Sequence, residues 1–254
     1  MSWIFQRILP NIVALSVVAV YPLSAQDSLQ EILDRGDRSF LTCEDEFHRS
    51  IEEYKNVLKI DPNHYEAHWK IARSLFYIGY LSDDREKQKK YGEEGYKVYG
   101  TRAVELEPNR VEGHLYRTVS VGMYIRGIGV VKAVLQGLDR EYYRGITKAV
   151  EIDPSIDDGY AVVSLGRYYY ELPWPLRNID KSLEYYQQGL QYDFSPYRAA
   201  TRFLMAESYL KKGEKGKARE QLEFIFTIPS DPNVPDCEEE YYRGRARELL
   251  SGID

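Results

Sequence analysis

The sequence predicts an all-α protein built as an array of stacked helix pairs. One spacing of 46 residues separates Pro62 from Pro108 and Pro108 from Pro154. Each proline follows an acidic residue and precedes Asn or Ser. A proline ends the helix before it, and Asn or Ser can cap the next one, so each site marks a turn between two helices. A fixed period of tens of residues indicates repeated units that bury their apolar faces against one another.

Helical patterns are found on both sides of each proline. Upstream, each helix ends with a small or branched apolar pair: Val57-Leu58, Ala103-Val104 and Ala149-Val150. Downstream, residues 65–79 carry apolar side chains at helical intervals. A closing helix is expected over residues 236–250.

The order of small and large side chains in these helices resembles the tetratricopeptide repeat. The matching positions are Ile71, Ala72, Leu75 and Gly79 in one repeat, and Ala206, Tyr209, Gly213, Ala218, Leu222 and Ile225 in the last. The resemblance implies a tetratricopeptide-like helical repeat array, an α-solenoid of four to five antiparallel helix pairs. Because the period exceeds the family's usual value of about 34 residues, the earlier repeats must carry insertions.

Three segments account for the extra length. Residues 82–94 are charged and are expected to lengthen the second helix of their pair on the outside of the stack. Residues 125–138 are strongly apolar. The third segment, residues 171–175, contains Pro173 and Pro175 and predicts a stiff elbow between two helices.

The N-terminus and the charge indicate an exported protein, periplasmic or secreted. Residues 1–25 are predicted to be a signal peptide, and an uncleaved membrane anchor is the alternative. Residues 26–254 are predicted to form one helical repeat domain, with no stable membrane span after cleavage. No cysteine follows the predicted cut, so a lipid anchor is not indicated there. With 34 basic and 40 acidic residues, the chain has a net charge of −6, which argues against nucleic acid as a partner.

The two cysteines, Cys43 and Cys237, stand near opposite ends of the chain. An even count in an exported protein allows a disulfide. A repeat array holds its ends apart, however, and a bridge needs Cα atoms within about 7 Å. Two separate thiols are therefore the favoured prediction.

The sequence offers no pattern for metal binding or catalysis. His64 and His68 are four residues apart, but His68 and His114 share one repeat position, which favours a packing role over a metal site. A nucleophile elbow and a phosphate-binding glycine loop are both missing from the sequence. The prediction is a non-enzymatic protein that uses no cofactor.

Recognition is expected on the concave surface, which helix A of each repeat lines in this fold. Arg73 and Arg167 fall on the same repeat position, beside aromatic residues, and such a pair suits a carboxylate-bearing ligand or a peptide. The predicted binding residues are Trp69, Arg73, Tyr77, Arg167, Tyr170 and Trp174. The concave set as a whole is Glu66, Trp69, Arg73, Phe76, Tyr77, Leu115, Val119, Met123, Tyr160, Val163, Arg167, Tyr170, Phe203, Glu207 and Leu210. The alternative is that many of these aromatics simply fill the core.

A narrower resemblance rests on residues 111–124, 157–159 and 165–175, above all on the Gly166-Arg-Tyr-Tyr-x-x-Leu-Pro segment. These stretches resemble the T-component family of TRAP transporters. The resemblance implies a periplasmic solute-binding protein as partner, a possible homotrimer and a small apolar or carboxylate ligand. Several members of that family are lipoproteins, and this chain departs from them in lacking the cysteine.

Two classes of function follow, with a general interaction scaffold unrelated to transport as a further alternative. An adaptor would use its groove or residues 125–138 to bind a protein partner or another copy of itself. A carrier would fold residues 125–138 over a pocket beside Trp69 and Arg167. An exposed apolar strip favours the adaptor, and a strip tucked over a cavity favours the carrier.

Overall fold

The computed structural model describes residues 28–192 and 198–253, and all the regular structure in these ranges is helical. The helices are α1 (Leu29–Leu41), α2 (His48–Ile60), α3 (Tyr65–Tyr80), α4 (Arg85–Glu94), α5 (Thr101–Leu106), α6 (Val111–Ile128), α7 (Val130–Leu135), α8 (Leu138–Ile152), α9 (Ile156–Glu171), α10 (Ile179–Gly189), α11 (Ala199–Lys211), α12 (Lys215–Ile225) and α13 (Asp236–Ser251).

Five antiparallel pairs follow one another along the chain, which confirms the predicted tetratricopeptide-like array. They are α1 with α2, α3 with α4–α5, α6 with α8, α9 with α10, and α11 with α12. The first helix of each pair lies next to that of the following pair for most of the array, so these helices form a continuous inner layer. Helix α13 packs on α11 and α12 at the end of the chain.

The turns at the three prolines form as predicted, but a different residue stabilises two of them. Helices α2, α5 and α8 end two residues before their prolines. The carboxylate of Asp61 accepts the backbone N–H of Asn63 at 3.0 Å, and that of Asp153 accepts the N–H of Ser155 at 2.9 Å. An aspartate that bonds the backbone two residues on forms a turn by itself. The predicted capping by Asn63 was therefore wrong, and the side chain of His64 caps α3 instead.

The two repeat-related histidines make the same contact. Nε2 of His68 donates to the carbonyl oxygen of Pro62 at 3.0 Å, and Nε2 of His114 donates to that of Pro108 at 2.8 Å. Each bond ties the first helix of a pair to the turn that precedes it. The predicted structural role of these histidines is confirmed.

The charged insertion lengthens the second helix of its pair, as expected. Helix α4 continues through a π-helical segment, Gly95–Gly100, into α5 without leaving right-handed helical angles. The predicted signal peptide, residues 1–25, lies outside the described residues. Within residues 28–192 and 198–253, no helix has both the length and the apolar character that crossing a bilayer requires.

Helix α13 returns to the first repeat, and this overturns the prediction of two separate thiols. Cys43 and Cys237 form a disulfide, with their Cα atoms 6.2 Å apart. The argument from separated ends failed because the array curls, so that its last helix reaches the turn between α1 and α2. Nearby, the hydroxyl of Tyr77 donates a hydrogen bond to Glu238 at 2.8 Å, and the hydroxyls of Tyr80 and Tyr242 are hydrogen-bonded to each other.

Replacing both cysteines with serine should lower the free energy of unfolding by about 3–5 kcal/mol, because the bond closes a loop with a sequence separation of 194 residues. Urea unfolding without reductant measures the change. Dithiothreitol should lower the stability of the wild type and leave that of the double variant unchanged. Equal stability of the wild type with and without reductant would contradict the bridge.

Candidate functional site

A cavity of about 200 Å³ lies on the inner layer of the array, among α3, α6, α7, α8, α9, α11 and α13. Its apolar wall includes Phe76, Val119, Met123, Ile125, Val130, Val134, Tyr160, Val163, Leu172, Phe203 and Leu204. Charged side chains that reach it are Arg126, Asp139, Arg167, Glu171, Glu207 and Arg245. The site is thus mainly apolar, with a small number of ionic groups.

Many of the residues that the repeat register places on the concave surface line this cavity. The members of the predicted concave set that line the cavity are Phe76, Val119, Met123, Tyr160, Val163, Arg167, Phe203 and Glu207. Of the six predicted binding residues, however, only Arg167 is among the lining residues. Tyr170 lies beside it, with the Arg167 guanidinium 4.8 Å from the Tyr170 ring centre. Trp174 is 88% exposed on the elbow.

Arg73 belongs to an ionic network between the first two repeats. Its guanidinium lies 3.3 Å from a carboxylate oxygen of Asp37 and 3.3 Å from the hydroxyl of Tyr54. It also packs on the ring of Phe40, and the neighbouring Trp69 stacks on Tyr116. The charge of Arg73 already has a partner within the chain, so Trp69 and Arg73 act here as packing residues between helices.

Asp37 is the anionic centre of that network. Lys70 donates to its second oxygen at 2.5 Å, and Tyr54 donates to the first at 2.8 Å. Partial burial acts to raise the pKa of Asp37, but the hydrogen bond and charge of Lys70, with help from Tyr54 and Arg73, hold that pKa below its ordinary value of 3.8. The carboxylate is therefore stabilised in its ionised form.

Tyr77 contacts α13 rather than an open groove. The carboxylate of Glu238, which accepts the Tyr77 hydroxyl, lies 3.6 Å from Arg198, and both charged side chains are buried. Burial raises the pKa of Glu238 against the opposing pull of Arg198 and Tyr77. Arg198 also donates to the carbonyl oxygen of Asp157 at 2.9 Å. This part of the concave surface is occupied by the chain's own C-terminal helix.

The first residues of α9, which include the Asp157 carbonyl that accepts from Arg198, have an unusual backbone conformation. Asp157, Asp158 and Gly159 have φ values of +52°, +57° and +79°, all in the left-handed region. Left-handed aspartates cost roughly 1–2 kcal/mol each, so surrounding contacts must hold them. Asp157 accepts the hydroxyl of Tyr116 at 2.5 Å and binds Arg198 through its carbonyl. The Asp-Asp-Gly sequence signals a turn, but nothing local indicates its distant partners.

Arg167 lies between two carboxylates. It forms ion pairs with Glu171, one turn on, and with Glu207 of α11 at 2.6 Å. This group of three side chains carries a net charge of −1 and would repel a ligand carboxylate. The repeat register placed Arg167 and Glu207 at the cavity but did not indicate that Glu171 and Glu207 pair with Arg167.

The apolar insertion and the elbow each present two faces. Within the insertion, Val130, Ala133 and Val134 line the cavity, whereas Val131 and Leu135 are 71% and 84% exposed. In the elbow, Leu172 lines the cavity while Trp174 is exposed, and Leu176 directly after it is exposed as well. Residues 125–138 therefore cover a pocket and also offer an apolar strip to the outside.

The fold defines a tetratricopeptide-like helical repeat protein. The family described as "Regulator of microtubule dynamics protein 1-3" matches residues 32–174, more than half of the 254 residues, and the chain belongs to that family. "Regulator of microtubule dynamics protein 3" of Xenopus laevis is 24% identical over 186 residues. That alignment covers 66% of this chain and 38% of the frog protein, so the chain spans well under half of its relative.

One of the similar solved structures shows the same fold. TTC0263, described as a thermophilic TPR protein in Thermus thermophilus, superposes with a TM-score of 0.64 at 17% identity, over 88% of this chain and 100% of that one. The MamA protein gives a TM-score of 0.43 at 18% identity, over 86% and 94% of the two chains. The first likeness shows the tetratricopeptide-like fold. None of these proteins supports the narrower resemblance to a transporter T-component.

Asp37→Asn should lower the free energy of unfolding at pH 7 by about 1–2 kcal/mol, because Lys70 and Arg73 lose a charged acceptor that is partly screened by solvent. A group with a lowered folded pKa contributes its stability above its ordinary pKa and loses it as the pH falls through the folded value. The difference from wild type should therefore shrink below about pH 3.8.

Urea unfolding at several pH values measures this difference. Asp34→Asn on the exposed face of the same helix serves as the control and should change stability little at any pH. A deficit in Asp37→Asn that stays constant down to low pH would show that the ionised carboxylate is not what stabilises the network.

Proposed function

We propose that this protein is a non-enzymatic binding protein that holds a small, largely apolar ligand in the cavity of its inner layer. The observation that carries the proposal is the cavity itself, with mainly apolar walls supplied by six helices of the array and by α13. Ligand sites in proteins are typically concave and mostly apolar, with a few placed polar groups. The tetratricopeptide-like scaffold and its family fit a binding role.

The groove is poorly suited to an extended peptide. Helix α13 occupies part of the inner surface through Glu238 and Tyr242, and the Cys43–Cys237 bond fixes its first turn. A peptide would have to displace this helix. Arg73, which a peptide carboxylate was expected to bind, is already paired with Asp37.

The size of the cavity limits the ligand. A volume of about 200 Å³ is below the range of about 300–1,000 Å³ that holds drug-sized molecules. A slender apolar chain or a small ring system fits better than a bulky ligand.

A protein partner is the second candidate, and the exposed apolar strip favours it. Val131, Leu135, Trp174 and Leu176 are exposed on the two segments that flank the cavity, and apolar surface of this kind often marks an interface. The partner we propose is another copy of the chain, as in the predicted homotrimer. A solute-binding protein of a transporter and the microtubule role named for the frog relative are the alternatives.

We also propose that the protein works outside the reducing cytosol, in the periplasm or after secretion. The Cys43–Cys237 disulfide supports this proposal, because structural disulfides persist mainly in oxidising compartments. The predicted signal peptide points the same way.

Filling the cavity should weaken ligand binding. We expect Val134→Trp to weaken binding of the neutral apolar dye N-phenyl-1-naphthylamine by about tenfold or more, because the indole would occupy the space of the ligand. Fluorescence titration measures the affinity. The matched control is Val131→Trp on the exposed face of the same helix, which should bind like wild type. Equal binding by both variants would exclude the cavity as the site.

Self-association should depend on the exposed strip. Leu135→Asp is expected to shift the protein towards the monomer in size-exclusion chromatography with light scattering, because a charge would replace an apolar side chain that is 84% exposed. Gln136→Asp adds the same charge next to it and should leave the mass unchanged. A monomeric wild type would rule out the homotrimer.

A further inference from the structure

Two arginines at the cavity converge on one exposed carboxylate oxygen. Nη2 of Arg126, near the end of α6, lies 3.6 Å from Oδ1 of Asp83, and Nη1 of Arg245, on α13, lies 3.6 Å from the same oxygen. Both arginines line the cavity. Asp83 belongs to the turn between α3 and α4 and is 74% exposed. The end of α6, the turn between α3 and α4, and α13 therefore meet at this ionic contact.

This arrangement leaves the two cations incompletely satisfied. A distance of 3.6 Å is longer than the 2.7–3.2 Å of a good N–H···O bond, so neither guanidinium bonds Asp83 well. The further neighbours of Arg245 are also distant, since the hydroxyl of Tyr241 lies at 3.4 Å and the largely exposed Glu248 at 3.8 Å. A single oxygen cannot serve two guanidinium groups as closely as an anion that brings two or three oxygens.

The acidic groups of the cavity lie on other helices. Asp139, Glu171 and Glu207 are on α8, α9 and α11, and the last two neutralise Arg167. The carboxylates of Glu171 and Glu207 are thus already paired with Arg167, whereas the ion pairs of Arg126 and Arg245 with Asp83 are long. An anionic group on an apolar ligand would be attracted to Arg126 and Arg245 and repelled by the net negative group around Arg167.

We propose that Arg126 and Arg245 form a subsite for the anionic head of a single-chain amphiphile, whose apolar part fills the cavity. Asp83 faces both arginines and gives way to the head group, which carries carboxylate or phosphate oxygens. Because Asp83 is mostly in solvent, its departure costs little. The proposal rests on the cavity being a ligand site and adds the charge of the ligand and the residues that select it.

Competition with N-phenyl-1-naphthylamine tests the subsite, with dodecanoate, dodecyl phosphate and 1-dodecanol as competitors of equal chain length. We expect Arg126→Ala and Arg245→Ala each to weaken binding of the anions about fivefold, corresponding to about 1 kcal/mol, and to leave 1-dodecanol unchanged. Asp83→Asn should tighten binding of the anions about threefold, because it removes the competing carboxylate.

Arg102→Ala is the matched control, since its side chain is 41% exposed, as is that of Arg126, and it pairs with Glu105. It should change none of the affinities. Circular dichroism confirms folding, and Asp83→Asn, a surface change, tests the subsite even if an arginine variant unfolds. A preference for the carboxylate or for the phosphate supports the proposal and identifies the head group.

Different results would contradict the anion subsite and the ligand-binding cavity. If all three competitors bind equally well to wild type and to the arginine variants, the subsite is overturned while the cavity remains a ligand site. If no competitor and no dye binds the wild type, the ligand-binding function falls and the subsite falls with it. Anion binding that survives Val134→Trp would place the anion outside the cavity and overturn the subsite.

Discussion

The docking of α13 onto the first two helix pairs and the last one is the constraint on which the rest of the structure depends. Glu238 connects Tyr77 of α3 to Arg198 at the start of α11, and the Cys43–Cys237 bond anchors the same turn. A buried ion pair is costly to form. Removing only one of its two partners is much more costly, because the remaining charge is then buried without a partner. This contact closes a curved array into a structure with an interior, and the cavity exists because α13 supplies one of its walls.

The positions of the charges decide what that interior can bind. Arg73 and Arg167 share a repeat position, yet Asp37 neutralises one, and Glu171 and Glu207 over-neutralise the other. A repeat position therefore fixes where a side chain points, whereas its electrostatic role depends on neighbours from other helices. For the same reason, a ligand anion is better placed at Arg126 and Arg245, whose ion pairs with Asp83 are long, than at Arg167, where a ligand carboxylate was expected.

The sequence predicted what is local and missed what is distant. Proline turns, histidine packing and the helix register all depend on residues a few positions apart, and the fold and eight wall residues followed from them. Tyr77 and Glu238 are 161 residues apart, and the two cysteines 194. No periodic pattern encodes such contacts. The assumption that an array keeps its ends apart therefore gave the wrong prediction for the thiols, and the contact between Tyr77 and α13 was not foreseen.

The apolar insertion links the two candidate functions physically. Helix α7 is a single short helix between Gly129 and Gly137, both with positive φ, and its opposite faces line the cavity and meet solvent. A shift of this helix changes both surfaces at once. If a ligand in the cavity and a partner on the outer face each prefer one position of α7, each must alter the affinity of the other by the same free energy. Carrier and adaptor are therefore not exclusive roles for this fold.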